Sequence, residues 1–210
     1  MARQEFTVDT LKDISDLLSR NPEYYTVWNF RRQALRHQFS EAGNTAEEDS
    51  SKQIAELIKN DLIFLIPLLR SFPKCYWIWN YRVWLLDEAR RLLPLAVSRQ
   101  FWQEELGLVG KMLTLDSRNF HGWGYRRLVV ETLQQLGTSA EAASMTQKEF
   151  EYAKKMIGAN LSNFSAWHYR TKLILRLLEE QAASDEERKK MLDDGALCCP
   201  GEVTVFLKLG

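Results

Sequence analysis

Four times along the chain a tryptophan is followed, two and three residues later, by an aromatic residue and an arginine: Trp28-Asn-Phe30-Arg31, Trp79-Asn-Tyr81-Arg82, Trp123-Gly-Tyr125-Arg126 and Trp167-His-Tyr169-Arg170. Successive tryptophans lie 51, 44 and 44 residues apart. A nearly fixed period of that size with one shared wording marks a stack of helical units, none of which can bury its apolar face alone. Aligning the tryptophans also aligns apolar residues eleven positions earlier (Leu17, Leu68, Met112, Met156) and seven positions later (Leu35, Leu86, Val130, Ile174). The unit is therefore a helical hairpin, and the expected fold class is all-α, an α-α solenoid of tandem hairpins.

The hairpins can be placed one by one. Residues 8–19 carry Val8, Leu11, Ile14, Leu17 and Leu18 at helical spacing, and Asn21-Pro22 ends that helix. A second helix runs over about 23–39. The polar, acidic stretch 41–51 reads as a surface loop and accounts for the longer first spacing, since closing a longer loop costs little extra entropy. The second hairpin pairs 54–72 with 74–93, with a kink expected at Pro67. The third pairs 99–115 with 119–136. The fourth pairs 146–159 with 163–181 after a small, polar linker over 137–144, with Thr146 and Glu149 in capping-box spacing. Residues 184–194 begin a fifth unit, after which the pattern is lost. Residues 1–194 thus form the repeat region, and 195–210 an atypical tail expected to be poorly ordered.

Lys plus Arg and Asp plus Glu number 28 each, so no net field points to nucleic acid or an anionic membrane. The longest apolar run, 62–69, is far short of the ~20 residues of a membrane span, and the first residues lack the basic start and apolar run of a secretory signal, so a cytoplasmic address is expected. Cys75, Cys198 and Cys199 show neither CxxC spacing nor a C-terminal lipidation box, which predicts reduced thiols and no metal site in this chain.

The tryptophans and the aromatics after them read as core. The arginines (Arg31, Arg82, Arg126, Arg170) need either ion pairs between repeats or a partner along one face, and the spacing leaves both open. His37, His121 and His168 fall in different repeats, with no metal-binding or phosphate-loop motif beside them, so a self-contained enzyme is not predicted.

The segments Asn21-Pro-Glu-Tyr-Tyr-Thr-Val-Trp-Asn-Phe-Arg-Arg32, Pro73-Lys-Cys-Tyr-Trp-Ile-Trp-Asn-Tyr-Arg82, Arg118-Asn-Phe-His-Gly-Trp-Gly-Tyr-Arg-Arg127 and Asn163-Phe-Ser-Ala-Trp-His-Tyr-Arg170 resemble the tandem repeats of the protein prenyltransferase α subunits. The resemblance spans residues 8 to about 194. TPR units repeat at 34 residues, and HEAT units lack this wording. Residues 118–127 and Trp84-Leu-Leu look most like the type II, Rab-modifying geranylgeranyltransferases; the α subunit shared by farnesyltransferase and the type I enzyme is the alternative, and a non-catalytic repeat scaffold a further one.

The resemblance implies a heterodimer in which a β subunit supplies zinc and the lipid pocket. Geranylgeranyl would pass from geranylgeranyl diphosphate, held at the subunit interface, to C-terminal cysteines of Rab GTPases presented by an escort protein. Pro73-Lys-Cys-Tyr76 is similar to the family's Pro-Lys-x-Tyr, and Asn119-Phe-His121 to its Asn-aromatic-His. That likeness implies catalytic roles for Lys74 and His121 and substrate-binding roles for Lys74, Tyr76, Asn119 and His121. The family pattern would continue beyond Asp194, so a truncated subunit is expected.

Overall fold

The computed structural model describes residues 8–44, 46–180 and 186, and among them it is helical with turns and no strand. The expected fifth unit after Ser184, the tail 195–210, Cys198 and Cys199 lie outside the described residues, apart from Glu186. Two compact units divide the chain after Leu136.

The first unit holds three hairpins: α1 (Val8–Arg20) with α2 (Tyr25–Ala42), α3 (Glu47–Ser71) with α4 (Tyr76–Leu92), and α5 (Leu95–Leu115) with α6 (Phe120–Leu136). Each helix packs on the next in sequence, and the second helices also touch across hairpins, α2 with α4 and α4 with α6. That is the stacking expected when every hairpin must cover its neighbour's apolar face. The second unit is one hairpin, α7 (Ser139–Ala159) against α8 (Phe164–Glu180). It buries Ala153, Met156 and Ile157 from α7 and Ala166, Tyr169, Leu173 and Ile174 from α8.

Leu35, Leu86, Val130 and Ile174 are all buried, as their shared register predicts. Leu68, Met112 and Met156 are buried too, but Leu17 is 42% exposed, and α1 buries Ile14 and Leu18 instead. Trp28 and Trp123 are fully enclosed and Trp79 nearly so, whereas Trp167 is half-buried.

Two stretches expected outside helices are helical. Of the expected acidic loop 41–51, Glu41 and Ala42 belong to α2, and α3 already begins at Glu47. Glu47, Glu48 and Asp49 form the first turn of α3, where carboxylates favour the positive helix end, and Glu48 reaches Lys52 one turn on at 2.8 Å. In the 137–144 linker, the capping box is Thr138 with Glu141, not Thr146 with Glu149: Thr138 Oγ1 accepts from the Glu141 amide at 3.3 Å, and the Thr138 amide donates to Glu141 Oε2 at 2.8 Å. Two Thr-x-x-Glu spellings compete here. The one after Gly137 wins because Ala140-Glu-Ala-Ala143 is strongly helix-forming, leaving Thr146 and Glu149 buried in mid-helix.

α3 runs without interruption through Pro67, which sits on the exposed side next to the carbonyl it leaves unbonded at exposed Ile63.

Candidate functional site

The repeated residues build the junctions between hairpins of the first unit. Arg31 on α2 pairs with Asp61 on α3 through Nε at 3.1 Å and a second, closer contact from Nη2, and Tyr81 Oη donates to the same carboxylate at 2.7 Å. Arg82 on α4 pairs with Glu105 on α5 in the same way, Nε at 3.0 Å with a closer Nη2 contact, and Tyr125 Oη donates at 2.5 Å. All six side chains are buried. Arg31 and Arg82 therefore join repeat to repeat, which for these two resolves the alternative the spacing left open, whereas the Arg170 guanidinium lies 5.2 Å from the Phe150 ring and 5.9 Å from the Trp167 ring of its own hairpin. Burial alone would lower the arginine pKa values, but the carboxylate beside each guanidinium outweighs it and raises them. Burial first, and then the same carboxylates, push the Tyr81 and Tyr125 phenols well above their ordinary range.

Aromatic contacts run across the same junctions. Trp28 lies 4.9 Å from Tyr81 and Trp79 lies 5.1 Å from Tyr125, centroid to centroid. In the second unit Tyr169 Oη donates to Glu149 at 3.3 Å, repeating the 20-residue acid-to-tyrosine separation seen at Asp61–Tyr81 and Glu105–Tyr125. The first hairpin differs: Phe30 has no hydroxyl, and Thr10 stands where the other hairpins carry the carboxylate.

A second recurring device sets the hairpin turns. Each indole N–H donates to the carbonyl six residues before it: Trp28 to Pro22 at 2.7 Å, Trp79 to Pro73 at 2.9 Å, Trp123 to Ser117 at 2.8 Å and Trp167 to Leu161 at 2.9 Å. In the first unit the next hairpin uses the same carbonyls. Cys75 Sγ donates to Pro22 O at 3.5 Å, and Asn119 Nδ2 donates to Pro73 O at 2.9 Å.

These turns position the residues singled out by sequence. Lys74 lies exposed in the turn before α4, and Tyr76, half-exposed, opens that helix. The Tyr76 ring is 6.2 Å from that of His121 in the first turn of α6, so Tyr76 and His121, from adjacent hairpins, share one edge of the first unit. Asn119 is placed differently. It is 4% exposed, with Oδ1 capping α6 through the Gly122 amide at 3.0 Å and Nδ2 spent on Pro73 O. It holds the His121 turn against the Lys74 turn from within.

Sequence reasoning missed the remaining rings on this edge. Tyr25 lies 5.7 Å from Trp77, Trp77 lies 5.3 Å from Tyr76, and Phe120 lies 5.6 Å from His121. A continuous aromatic ribbon, Tyr25–Trp77–Tyr76–His121–Phe120, thus crosses three hairpins, and the exposed Lys74 stands two residues before Tyr76 in the turn that opens α4. Its signal was an aromatic three residues before every repeat tryptophan: Tyr25, Tyr76, Phe120 and Phe164. Rings flanked by a cation suit a ligand with an apolar chain and an anionic head. Among the described residues no group of three or more His, Cys, Asp or Glu side chains is placed to hold a metal, and no helix is long and apolar enough to cross a membrane.

The family model for the protein prenyltransferase alpha subunit repeat matches residues 9–38, 58–89, 102–133 and 146–177, one match per hairpin. The chain belongs to the protein prenyltransferase alpha-subunit repeat family. Among individual relatives, it is 43% identical over 122 residues to the geranylgeranyl transferase type-2 subunit alpha of Candida albicans, covering 58% of this chain and 30% of that one. It is 37% identical over 117 residues to the protein of the same name from Saccharomyces cerevisiae, covering 56% and 31%, and 37% identical to that from Rattus norvegicus, covering 56% and 18%. The matched region spans less than a third of the length of each of these relatives. A solved structure of Candida albicans protein geranylgeranyltransferase-I complexed with GGPP superposes with a TM-score of 0.65 at 22% identity, covering 94% of this chain and 57% of that one, a likeness of fold.

Proposed function

We propose that this chain is the repeat region of the α subunit of a type II protein geranylgeranyltransferase, acting only with a β subunit. In this reading it serves transfer of geranylgeranyl from geranylgeranyl diphosphate to C-terminal cysteines of Rab GTPases presented by an escort protein. The observation that carries the reading is the edge where two adjacent turns bring Tyr76 and His121 within 6.2 Å, with exposed Lys74 two residues before Tyr76, in a chain resembling type-2 α subunits.

The chemistry asks little of the α chain beyond charge. As a cysteine sulfur bonds to C1 of the prenyl group, the C1–O bond breaks and its electron pair leaves on the diphosphate. A fixed ammonium and hydrogen-bond donors at that leaving group stabilise the developing charge where water is excluded. Lys74 supplies the ammonium, His121 and Tyr76 flank it, and Asn119 positions the His121 turn. Zinc and the lipid pocket belong to the β subunit in this proposal.

Co-expression with a type II β subunit tests it. The expected outcome is a stable heterodimer that geranylgeranylates an escorted Rab, with Lys74→Ala slowing transfer while the heterodimer still forms. Copurification with other proteins but never with a β subunit would instead establish a non-catalytic scaffold. A heterodimer in which Lys74→Ala transfers at the wild-type rate would remove Lys74 from the reaction.

A further inference from the structure

A chain of polar contacts runs from α2 to the Tyr76 hydroxyl. Arg32 Nη1 donates to Asn29 Oδ1 at 2.8 Å, and Arg32 Nη2 donates to Asn80 Oδ1 at 2.6 Å. Asn80 Nδ2 in turn donates to Tyr76 Oη at 3.2 Å. The guanidinium is seated over the rings of Tyr81 at 5.5 Å and Trp84 at 5.7 Å, which fixes its plane against the second hairpin.

The direction of these bonds follows from chemistry. A guanidinium has donors and no acceptor, so the Asn80 side chain must turn its carbonyl oxygen to Arg32 and its amino group to Tyr76. An isolated asparagine beside a phenol could be flipped either way, and the phenol could then donate or accept. Here the phenol oxygen can only accept from Asn80. Its own proton is left to point away, toward solvent at the edge carrying Lys74 and His121.

We infer that Arg32 and Asn80 are positioning residues that fix the Tyr76 hydroxyl as a hydrogen-bond donor to an anionic ligand. In the function proposed above, on which this inference rests, that anion is the diphosphate of the prenyl substrate. An arginine from the first hairpin thereby sets the hydrogen-bond polarity of a residue in the second. The recognition edge then requires the α2–α4 packing as well as its own turn.

The test uses the heterodimer with a type II β subunit and two probes, geranylgeranyl diphosphate and geranylgeraniol, which lacks the anion. Asn80→Asp keeps the shape and the Arg32 partner but presents only acceptors to Tyr76, turning its proton inward. Binding of the diphosphate is expected to weaken about 10- to 100-fold, the range for a hydrogen bond to a charged group. Geranylgeraniol binding should stay unchanged, as should the thermal midpoint. Tyr76→Phe should lose the same amount, and Asn80→Asp in the Tyr76→Phe background should lose nothing further.

Additive losses in the double variant would mean that the new carboxylate simply repels the diphosphate, and would overturn the inference. So would an unchanged Asn80→Asp, an unchanged Tyr76→Phe, or an equal loss for geranylgeraniol. If the wild-type pair binds no geranylgeranyl diphosphate while the heterodimer forms, the function proposed above fails and this inference with it.

Discussion

Replacing Glu105 with leucine tests how the junctions hold. Glu105 is 3% exposed and accepts from Arg82 Nε, Arg82 Nη2 and Tyr125 Oη, while Arg82 is 1% exposed. Glu105→Leu removes the acceptor and leaves a guanidinium in the interior. Breaking a buried ion pair from one side costs about 3–5 kcal/mol, because the remaining charge keeps its full desolvation penalty. The orphaned phenol adds about 1–3 kcal/mol if counted alone, but the two share one site and do not sum. A loss of about 4 kcal/mol follows, a large part of the 5–15 kcal/mol typical of a folded domain. The triple variant Arg82→Met, Glu105→Leu, Tyr125→Phe removes every charge and hydroxyl together and should recover most of that loss, since apolar replacement of a whole buried cluster is often neutral. Urea unfolding followed by circular dichroism at neutral pH measures both. Glu48→Gln serves as the contrast: its partner Lys52 is 69% and Glu48 itself 84% exposed, so the change should fall below about 0.5 kcal/mol. A Glu105→Leu loss under about 1 kcal/mol, or a triple variant no better than the single one, would refute this account.

Three further outcomes follow from the same geometry. Tyr81 and Tyr125 have pKa values raised above the ordinary ~10, so below pH 10 both states hold these protons, and above it the unfolded chain loses protons that the folded chain keeps. Stability should therefore fall above pH 10 by about 1.4 kcal/mol per pH unit for each phenol, and denaturant midpoints from pH 9 to 11 should fall less steeply in Tyr81→Phe. Asn119→Ala removes both the cap on Gly122 and the bond to Pro73 O, a loss of about 2 kcal/mol that should also speed hydrogen exchange at the Gly122 amide; unchanged exchange would discount the cap. Thr138→Ala should lower stability by about 1 kcal/mol while Thr138→Ser, which keeps the capping hydroxyl, should lose little; equal thermal midpoints for the alanine variant and the wild type would refute the Thr138 cap.

The hairpins could be read from the chain because each repeats one apolar register, and Trp28, Trp79 and Trp123 are buried where that register puts them. The helix starts at Glu47 and Ser139 could not be read so directly. Both follow small, polar residues that resemble a loop, and only the dipole-favouring acids of α3 and the choice between two capping boxes decide them. The partners of the arginines were visible in principle, since Asp61, Glu105 and Glu149 also recur every 44 residues, but on an amphipathic helix an acid looks like surface until the neighbouring hairpin covers it. Tyr76 and His121 were singled out by the likeness of residues 73–76 and 119–121 to family wording, and their rings lie 6.2 Å apart. Asn80 was not, because its orientation is dictated by Arg32, 48 residues earlier in the chain.

The six-residue span between each indole and its carbonyl acts as a ruler for length changes. All four turns obey it, and in the first unit two of those carbonyls also anchor the following hairpin. An added residue in the turn after Pro22 or after Pro73 would pull the carbonyl from two donors at once. Between hairpins no such gauge applies: Arg31 reaches its acid over 30 residues and Arg82 over only 23, yet the two clusters are built alike. Length changes are thus absorbed more easily at the joints between hairpins than in the turns, and the edge formed by the turns of the first unit keeps its spacing while its joints differ in length.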